Sequence, residues 1–220
     1  MEGSPGLEKT LKDYYKRLYS CFGPQGWWPG QTRFEVIIGA ILTQNTAWSN
    51  VEKAIRNLRR EGLLTQDKMR GLDHAGLAAL LRPAGYFNVK AKRVFSFLDH
   101  LFGNYGGRLG VFLKKDRASL RKELLGINGI GPETADSILL YAANYPEFVV
   151  DAYTRRIFSR HGLSREDAGY DELKSIFMDN LPGDPALFNE YHALIVRTGK
   201  EYCRNRSPKC SECPLRVYLP

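Results

Sequence analysis

Asp151 stands where a carboxylate could be put to chemical use. It ends the apolar run Phe148-Val149-Val150 and precedes Ala152-Tyr153-Thr154-Arg155-Arg156, the start of a basic helix. A carboxylate at the edge of a buried segment can stabilise positive charge that builds on a neighbouring carbon, and it can orient or deprotonate water. An aspartate ahead of a helix is also a good N-cap, and the two uses are compatible.

Upstream lies Leu124 to Ala142, LLGINGIGPETADSILLYA, where a helix end runs into Gly126, Gly129 and Gly131 before Pro132 opens a new amphipathic helix. Proline suits a first helical turn. Glycines at this spacing allow a tight turn and close approach of a ligand, and the amides exposed at the next helix start point at an anion such as phosphate. Such a turn grips a nucleic-acid backbone without reading its sequence. A plain glycine-rich turn between two packed helices is the competing reading.

Three of the four cysteines crowd into the tail as Cys203-x6-Cys210-x2-Cys213. This distribution is poor for a disulfide framework and suits metal or cluster ligation, with Cys203, Cys210 and Cys213 as ligands. Cys21 stands alone and reads as a small buried apolar residue.

The elements that must position these groups are helical. LEKTLKDYYKRLYSCF, RFEVIIGAILTQ, SNVEKAIRNLRREG, HAGLAALLRPAG, KAKRVFSFLDHLFGNYG, RASLRKELLGI, ETADSILLYAANY and EYHALIVRTGKEYC all repeat apolar residues every three or four positions, and strand-like alternation is almost absent. GPQGWWPGQ, RPAGYFN, GINGIGP, NYPEF and LPGDP punctuate them as short connections. An all-α fold is expected, with residues 31–145 as one helical unit, residues 1–30 and 146–220 as a second, and a cleft between them. The 32 Lys and Arg against 24 Asp and Glu leave a formal charge of +8, which favours polyanionic partners. No apolar span is long enough for a membrane, and MEGSPGLEKTLKDYYKR lacks the apolar core of a secretory signal, so a cytosolic, nucleoid-associated location is expected.

Taken together, GINGIGPETA and VVDAYTRRI resemble the helix-hairpin-helix and Gly/Pro-Asp signature of the endonuclease III superfamily of base-excision glycosylases. IIGAILTQNTAWSNV, AGYFNVKAKRV and the cysteine tail extend the resemblance over nearly the whole chain, in the family's order. It implies two helical lobes, a helical barrel and a lobe made by both chain ends, with a damaged base flipped from duplex DNA into the cleft between them. Asp151 is then the catalytic carboxylate at the mouth. Gln44 matches the residue that fills the gap left by the extruded nucleotide, and it is expected to meet DNA together with Asn45, Gly129 and Gly131. Lys90, like Lys92, reads as a phosphate contact or a solvated charge. Lys209, with Arg204, Arg206 and Arg216, fits a loop that tracks phosphates.

Three departures from the family pattern narrow the expectation. Bifunctional members carry a nucleophilic lysine two residues after the last hairpin glycine; here that residue is Glu133, which cannot form an imine, so a monofunctional hydrolytic enzyme is expected. Trp27-Trp28-Pro29, Trp48 after QNT, and PETAD resemble the 3-methyladenine glycosylase branch. Trp27, Trp28, Pro29, Trp48 and Glu133 are therefore candidate base-pocket residues for a cationic alkylated purine, with core packing the alternative for the indoles. The third departure is in the tail. The resemblance implies a 4Fe-4S cluster, yet Leu219 stands where the fourth cysteine ligand would be. Another residue or an exogenous ligand would then complete the site, or the cluster is labile or lost; zinc with an outside ligand is a further possibility. No cofactor is needed for the chemistry. The alternatives carried forward are an endonuclease III-like glycosylase/lyase acting on oxidised pyrimidines or mismatched bases, and a non-catalytic damaged-DNA-binding module. A monomer acting on duplex DNA, away from any membrane, is expected.

Overall fold

The computed structural model describes residues 5–219, and among them there is no β-strand. Two compact units divide the chain: Pro29–Asn144 forms one, and the segments before and after it form the other. The expectation of an all-α fold holds.

The unit built from both chain ends begins with α1 (Pro5–Phe22). Leu11, Tyr14 and Leu18 recur on one face of this helix and are buried, as a helical period requires.

Eight helices make the unit of residues 29–144. They are α2 (Arg33–Leu42), α3 (Trp48–Arg60), α4 (Gln66–Arg70), α5 (His74–Leu81), α6 (Phe87–Tyr105), α7 (Leu109–Phe112), α8 (Arg117–Leu125) and α9 (Pro132–Ser137). Helix α2 is the core element. Every residue from Phe34 to Leu42 is buried, and the Thr32 hydroxyl caps the helix by accepting from the Glu35 amide at 3.1 Å. In α3 the buried set is Val51, Ala54, Ile55 and Leu58, an apolar stripe opposite a charged face. Helix α6 packs against both α2 and α5. Past Ser137, α9 widens into a π-helical turn, Ile138–Ala142, which packs on α2.

The chain then returns to the first unit through the extended run 146–150. Here α10 (Ala152–Arg160), α11 (Tyr170–Met178) and α12 (Pro185–Glu201) follow. Helix α12 packs on α1 and α10. Buried Phe148, Phe177, Phe188 and Tyr191 form an aromatic core in which Phe148 and Phe177 stack with centroids 3.6 Å apart. The ion pair between Lys174 and Glu147, both buried, ties α11 to the extended run. None of the described helices is long and apolar enough to cross a membrane.

Candidate functional site

Asp151 is placed by the end of a buried run and the start of a helix. Phe148, Val149 and Val150 are buried, and the chain leaves them directly into α10 with Asp151 as the N-cap. Its Oδ1 accepts from the Thr154 amide at 2.8 Å and from the Thr154 hydroxyl at 3.0 Å. The capping role foreseen in the sequence is therefore real, and it fixes the rotation of the carboxylate. Oδ2 faces the Nε2 of His192, 3.6 Å away on α12. With the Asp151 side chain only 13 % exposed, burial pushes its carboxyl up, but the His192 imidazole beside it, followed by the two Thr154 hydrogen bonds, prevails. The group is held below its ordinary value and is a carboxylate at neutral pH.

Tyr153 lies alongside. Its hydroxyl is pushed up by burial and by the Asp151 charge, and the Arg156 guanidinium sits 5.1 Å from its ring centroid. The ring closes on α12 at Gly199, where any added Cβ would lie 2.3 Å from Tyr153 Cδ1. A glycine in the interior of α12 thus has a packing reason. Neither His192 nor Gly199 stood out in the sequence: both sit in an ordinary amphipathic helix, and only the fold brings them to Asp151 and Tyr153.

Helix α12 also carries the loop that bears two of the tryptophans. The Gln25 amide donates to Glu190 Oε1 at 2.8 Å, and Arg197 Nη1 donates to the Phe22 carbonyl at 3.3 Å. Trp27 and Trp28 follow, half-buried and edge to face at 5.4 Å, with the Lys200 ammonium 5.9 Å from the Trp27 ring centroid. The face of Trp27 already attracts a cation of the chain itself. Asp151, Trp27 and Trp28 belong to the unit of the chain ends, whereas Pro29, Trp48 and Glu133 belong to the other unit. Trp48 donates its indole N–H to Glu52 at 2.9 Å, and Glu133 is exposed in the first turn of α9.

In the second unit the hairpin is locked from both sides. Buried Ile127 and Ile130 anchor the turn, and Gly129 takes φ +88°, a conformation costly for any other residue. A Cβ at Gly129 would also lie 2.3 Å from Arg93 Cγ. Arg121 Nε donates to Asp136 Oδ1 at 2.7 Å and its Nη2 to Oδ2 at 3.3 Å, so a two-pronged pair on a fully buried carboxylate clamps α8 to α9. Gln44 Nε2 donates to the Gly129 carbonyl at 2.9 Å and to the Thr134 hydroxyl at 2.8 Å, while Arg93 donates to Gln44 Oε1. The structure thus brings Gln44 and Gly129 into direct contact, and an arginine that sequence reading passed over holds the other end of the Gln44 amide. Asn45 is exposed in the left-handed region at φ 53°, which asparagine tolerates, and Gly131 is exposed as the N-cap of α9.

Two expectations are corrected. Lys90 was expected as a phosphate contact or a solvated charge, but it is 1 % exposed and its ammonium donates to the Ala84 carbonyl at 2.7 Å. Burial, with Arg93 adding, pulls that ammonium down to about 8. It closes the turn before α6 from inside the core, because its place on α6 is in register with the buried stripe Ala91, Val94 and Phe97. Cys21 was expected to be buried; it is exposed in the last turn of α1, off the apolar face that carries Leu11 and Leu18.

The tail folds around a cavity of about 20 Å³ whose walls include Cys203, Cys210, Cys213, Ile157, Leu215 and Leu219. All three thiols are free, and burial pushes that of Cys213 up, with the neighbouring thiols adding to the effect. The loop is held by arginines of α10. Arg156 Nε donates to the Cys203 carbonyl at 2.6 Å, and Arg160 Nη1 reaches Cys203 Sγ at 3.3 Å and the Arg204 carbonyl at 2.8 Å. Arg156, in the VVDAYTRRI segment, and Arg160, one turn further along α10, serve the loop as carbonyl clamps. Lys209, Arg204, Arg206 and Arg216 remain exposed, and Lys209 sits 3.6 Å from Glu212.

Comparison with known proteins adds three findings. The pattern described as the HhH-GPD superfamily base excision DNA repair protein matches residues 38–183. A protein of Methanocaldococcus jannaschii whose name proposes a DNA repair glycosylase is 51 % identical over 205 residues, covering 93 % of each chain. Among solved structures, Helicobacter pylori 3-methyladenine DNA glycosylase bound to 1,N6-ethenoadenine superposes with a TM-score of 0.75 at 28 % identity, over 89 % of this chain and 97 % of that one. An endonuclease III in a non-covalent complex with DNA reaches a TM-score of 0.82 at 22 % identity, over 96 % and 94 % of the two chains, and speaks to the fold alone.

Proposed function

The chain belongs to the HhH-GPD superfamily of base excision DNA repair proteins and is a glycosylase of the endonuclease III family, and from that premise we propose that it hydrolytically excises alkylated purines with Asp151 as its catalytic carboxylate. The observation that carries the proposal is the state of Asp151: ionised, nearly buried, and fixed in rotation by Thr154. Breaking an N-glycosidic bond builds positive charge on the sugar. A preorganised carboxylate stabilises that charge without having to reorganise, and it can orient the attacking water. Glu133 stands where bifunctional relatives carry lysine, so no imine forms there and the product is an abasic site.

The substrate class rests on the indoles and on the likeness to the 3-methyladenine glycosylase. A purine methylated at N3 or N7 is a cation and a good leaving group, so it requires little acid catalysis. An indole face attracts such a base by about 0.5–2 kcal/mol, and Trp27 holds the Lys200 ammonium in this way already. Trp28→Ala is expected to weaken binding of a cationic base more than that of a neutral one; equal losses would remove the cation argument. The partner is duplex DNA carrying the lesion, met by the hairpin amides at Gly129 and Gly131 and by Gln44, Asn45 and Lys209, with the protein acting as a monomer.

For the cluster that the family implies, the donor set does not fit as it stands: among the described residues no three metal-ligating side chains are grouped so that they could hold a metal ion. Three free thiols line one largely apolar cavity of about 20 Å³, room for little more than a single water. Cys203, Cys210 and Cys213 are the ligands that the resemblance implies, and Leu219, at the position of the family's fourth ligand, lines the same cavity. Arg156 and Arg160 brace the loop without it, and excision itself uses only the chain's own residues.

The test is chromatographic identification of bases released from methylated duplex DNA, with Asp151→Asn as the control. Release of 3-methyladenine or 7-methylguanine by the unmodified protein alone supports the proposal. Silence on methylated DNA together with release from oxidised or mismatched duplexes would move the substrate class elsewhere.

A further inference from the structure

We infer that His192 is a positioning residue for excision: its ring nitrogen is directed at Oδ2 of Asp151 so that the carboxylate presents one fixed orientation to the substrate. The inference deepens the catalytic reading of Asp151 and rests on it.

A carboxylate has two oxygens, and the cap accounts for only one. Thr154 holds Oδ1 with its amide and its hydroxyl, both from the first turn of α10. That is sufficient for capping, and an aspartate that did nothing else would need no partner from another helix. Yet α12 directs a histidine side chain, only 6 % exposed, at the second oxygen. The Nε2 to Oδ2 distance of 3.6 Å is slightly long for a hydrogen bond, as catalytic contacts often are before the substrate complex tightens them. Leaving such a nearly buried oxygen without a donor would be costly.

The imidazole is itself fixed. Its ring meets Phe148 edge to face, with centroids 6.4 Å apart and planes at 87°. Phe148 in turn stacks on Phe177 at 3.6 Å. The residue that orients His192 is thus part of the run that delivers Asp151 to its helix, so acid and partner share one rigid support. Although burial is the largest single influence on the Asp151 carboxyl and opposes its charge, the pull of His192 is foremost among those that overcome it. A helix cap does not require that pull; a carboxylate that must face a growing positive charge does.

The experiment compares two variants of similar volume, His192→Gln and His192→Met, of which only the first retains an N–H donor. Single-turnover excision from a methylated duplex is measured beside the affinity for the same duplex and the thermal midpoint. Glutamine is expected to hold the rate within about fivefold of the unmodified protein, and methionine to lower it about 10- to 100-fold with affinity unchanged, as loss of an orienting partner does. In the double variant Asp151→Asn, His192→Met the excision rate is expected to equal that of Asp151→Asn, because the histidine acts only through the carboxylate. If folded His192→Gln and His192→Met lose rate equally, or neither loses any, while Asp151→Asn is inactive, the positioning role is overturned and the catalytic reading stands. If Asp151→Asn itself excises normally, the catalytic reading has failed instead. Should the methionine variant not fold, His192→Asn and His192→Leu repeat the contrast of donor against none.

Discussion

Around the hairpin, polar side chains satisfy one another: Arg121 closes on Asp136, and Arg93, Gln44, Gly129 and Thr134 form one connected set. Around Asp151 they converge on a single carboxylate, with Thr154 on one oxygen and His192 facing the other. The first arrangement leaves shaped backbone as its working surface, and the second leaves a charge. A grip on phosphate needs amides held in place, which local sequence and a few internal ties can provide. Chemistry on a sugar needs a charge kept ionised against burial, which takes a partner from another helix. The two regions should therefore fail in different ways when they are altered.

The largest contrast is in rate. Asp151→Asn is expected to lower single-turnover excision by about 10³-fold or more with DNA affinity retained, since it removes a charge that acts in the transition state. A fall in affinity of similar size would erase the distinction between the two regions. The sign of the pH dependence follows from the same carboxylate. Its value in the folded protein lies below the ordinary one, so the excision rate should stay level as pH falls from 7 to the usual aspartate range near about 4, and drop only below it. Its contribution to stability is likewise full above the ordinary value and is lost as pH falls through the lower folded one. A rate that begins to fall near pH 6 would mean that Asp151 is not held in this way.

Next comes a change that should cost stability first. Asp136→Ala leaves Arg121 facing a vacated, buried site and should destabilise by about 3–5 kcal/mol, seen as a lowered thermal midpoint. Gly129→Ala combines a positive φ with a clash on Arg93 and should cost about 1–3 kcal/mol, with DNA binding weakened alike on damaged and undamaged duplexes. A selective loss on damaged duplex would mean that the hairpin reads the lesion. The smallest effect is expected for Lys209→Ala, which should reduce the salt slope of binding by no more than about one, because Glu212 already sits 3.6 Å from that ammonium.

The same comparison explains what the sequence discloses. Glycine spacing and Pro132 announce the hairpin because a turn is written in adjacent residues, and Asp151 is legible because a buried run and a helix start flank it. Helices α4 and α7 are too short for their periodicity to show, and α11 lies in a stretch where charged residues mask the apolar stripe of Leu173 and Phe177. Lys90 misleads because a charged side chain is seldom buried, and only the turn at Ala84 supplies its acceptor. His192, Gly199 and Arg93 acquire meaning through contacts with distant residues, and nothing in their own neighbourhoods marks them. The basic helix after Asp151 gains a role only when the carbonyls of the cysteine loop are seen to occupy Arg156 and Arg160.

The most direct measurement follows an end-labelled methylated duplex incubated with the unmodified protein, resolved with and without alkali and with and without borohydride. Hydrolysis assisted by Asp151 predicts free base, a strand that stays whole until alkali breaks it at the abasic site, and no covalent complex on reduction. Strand scission without alkali, together with a complex trapped by borohydride, would contradict the account and place an amine nucleophile in the reaction.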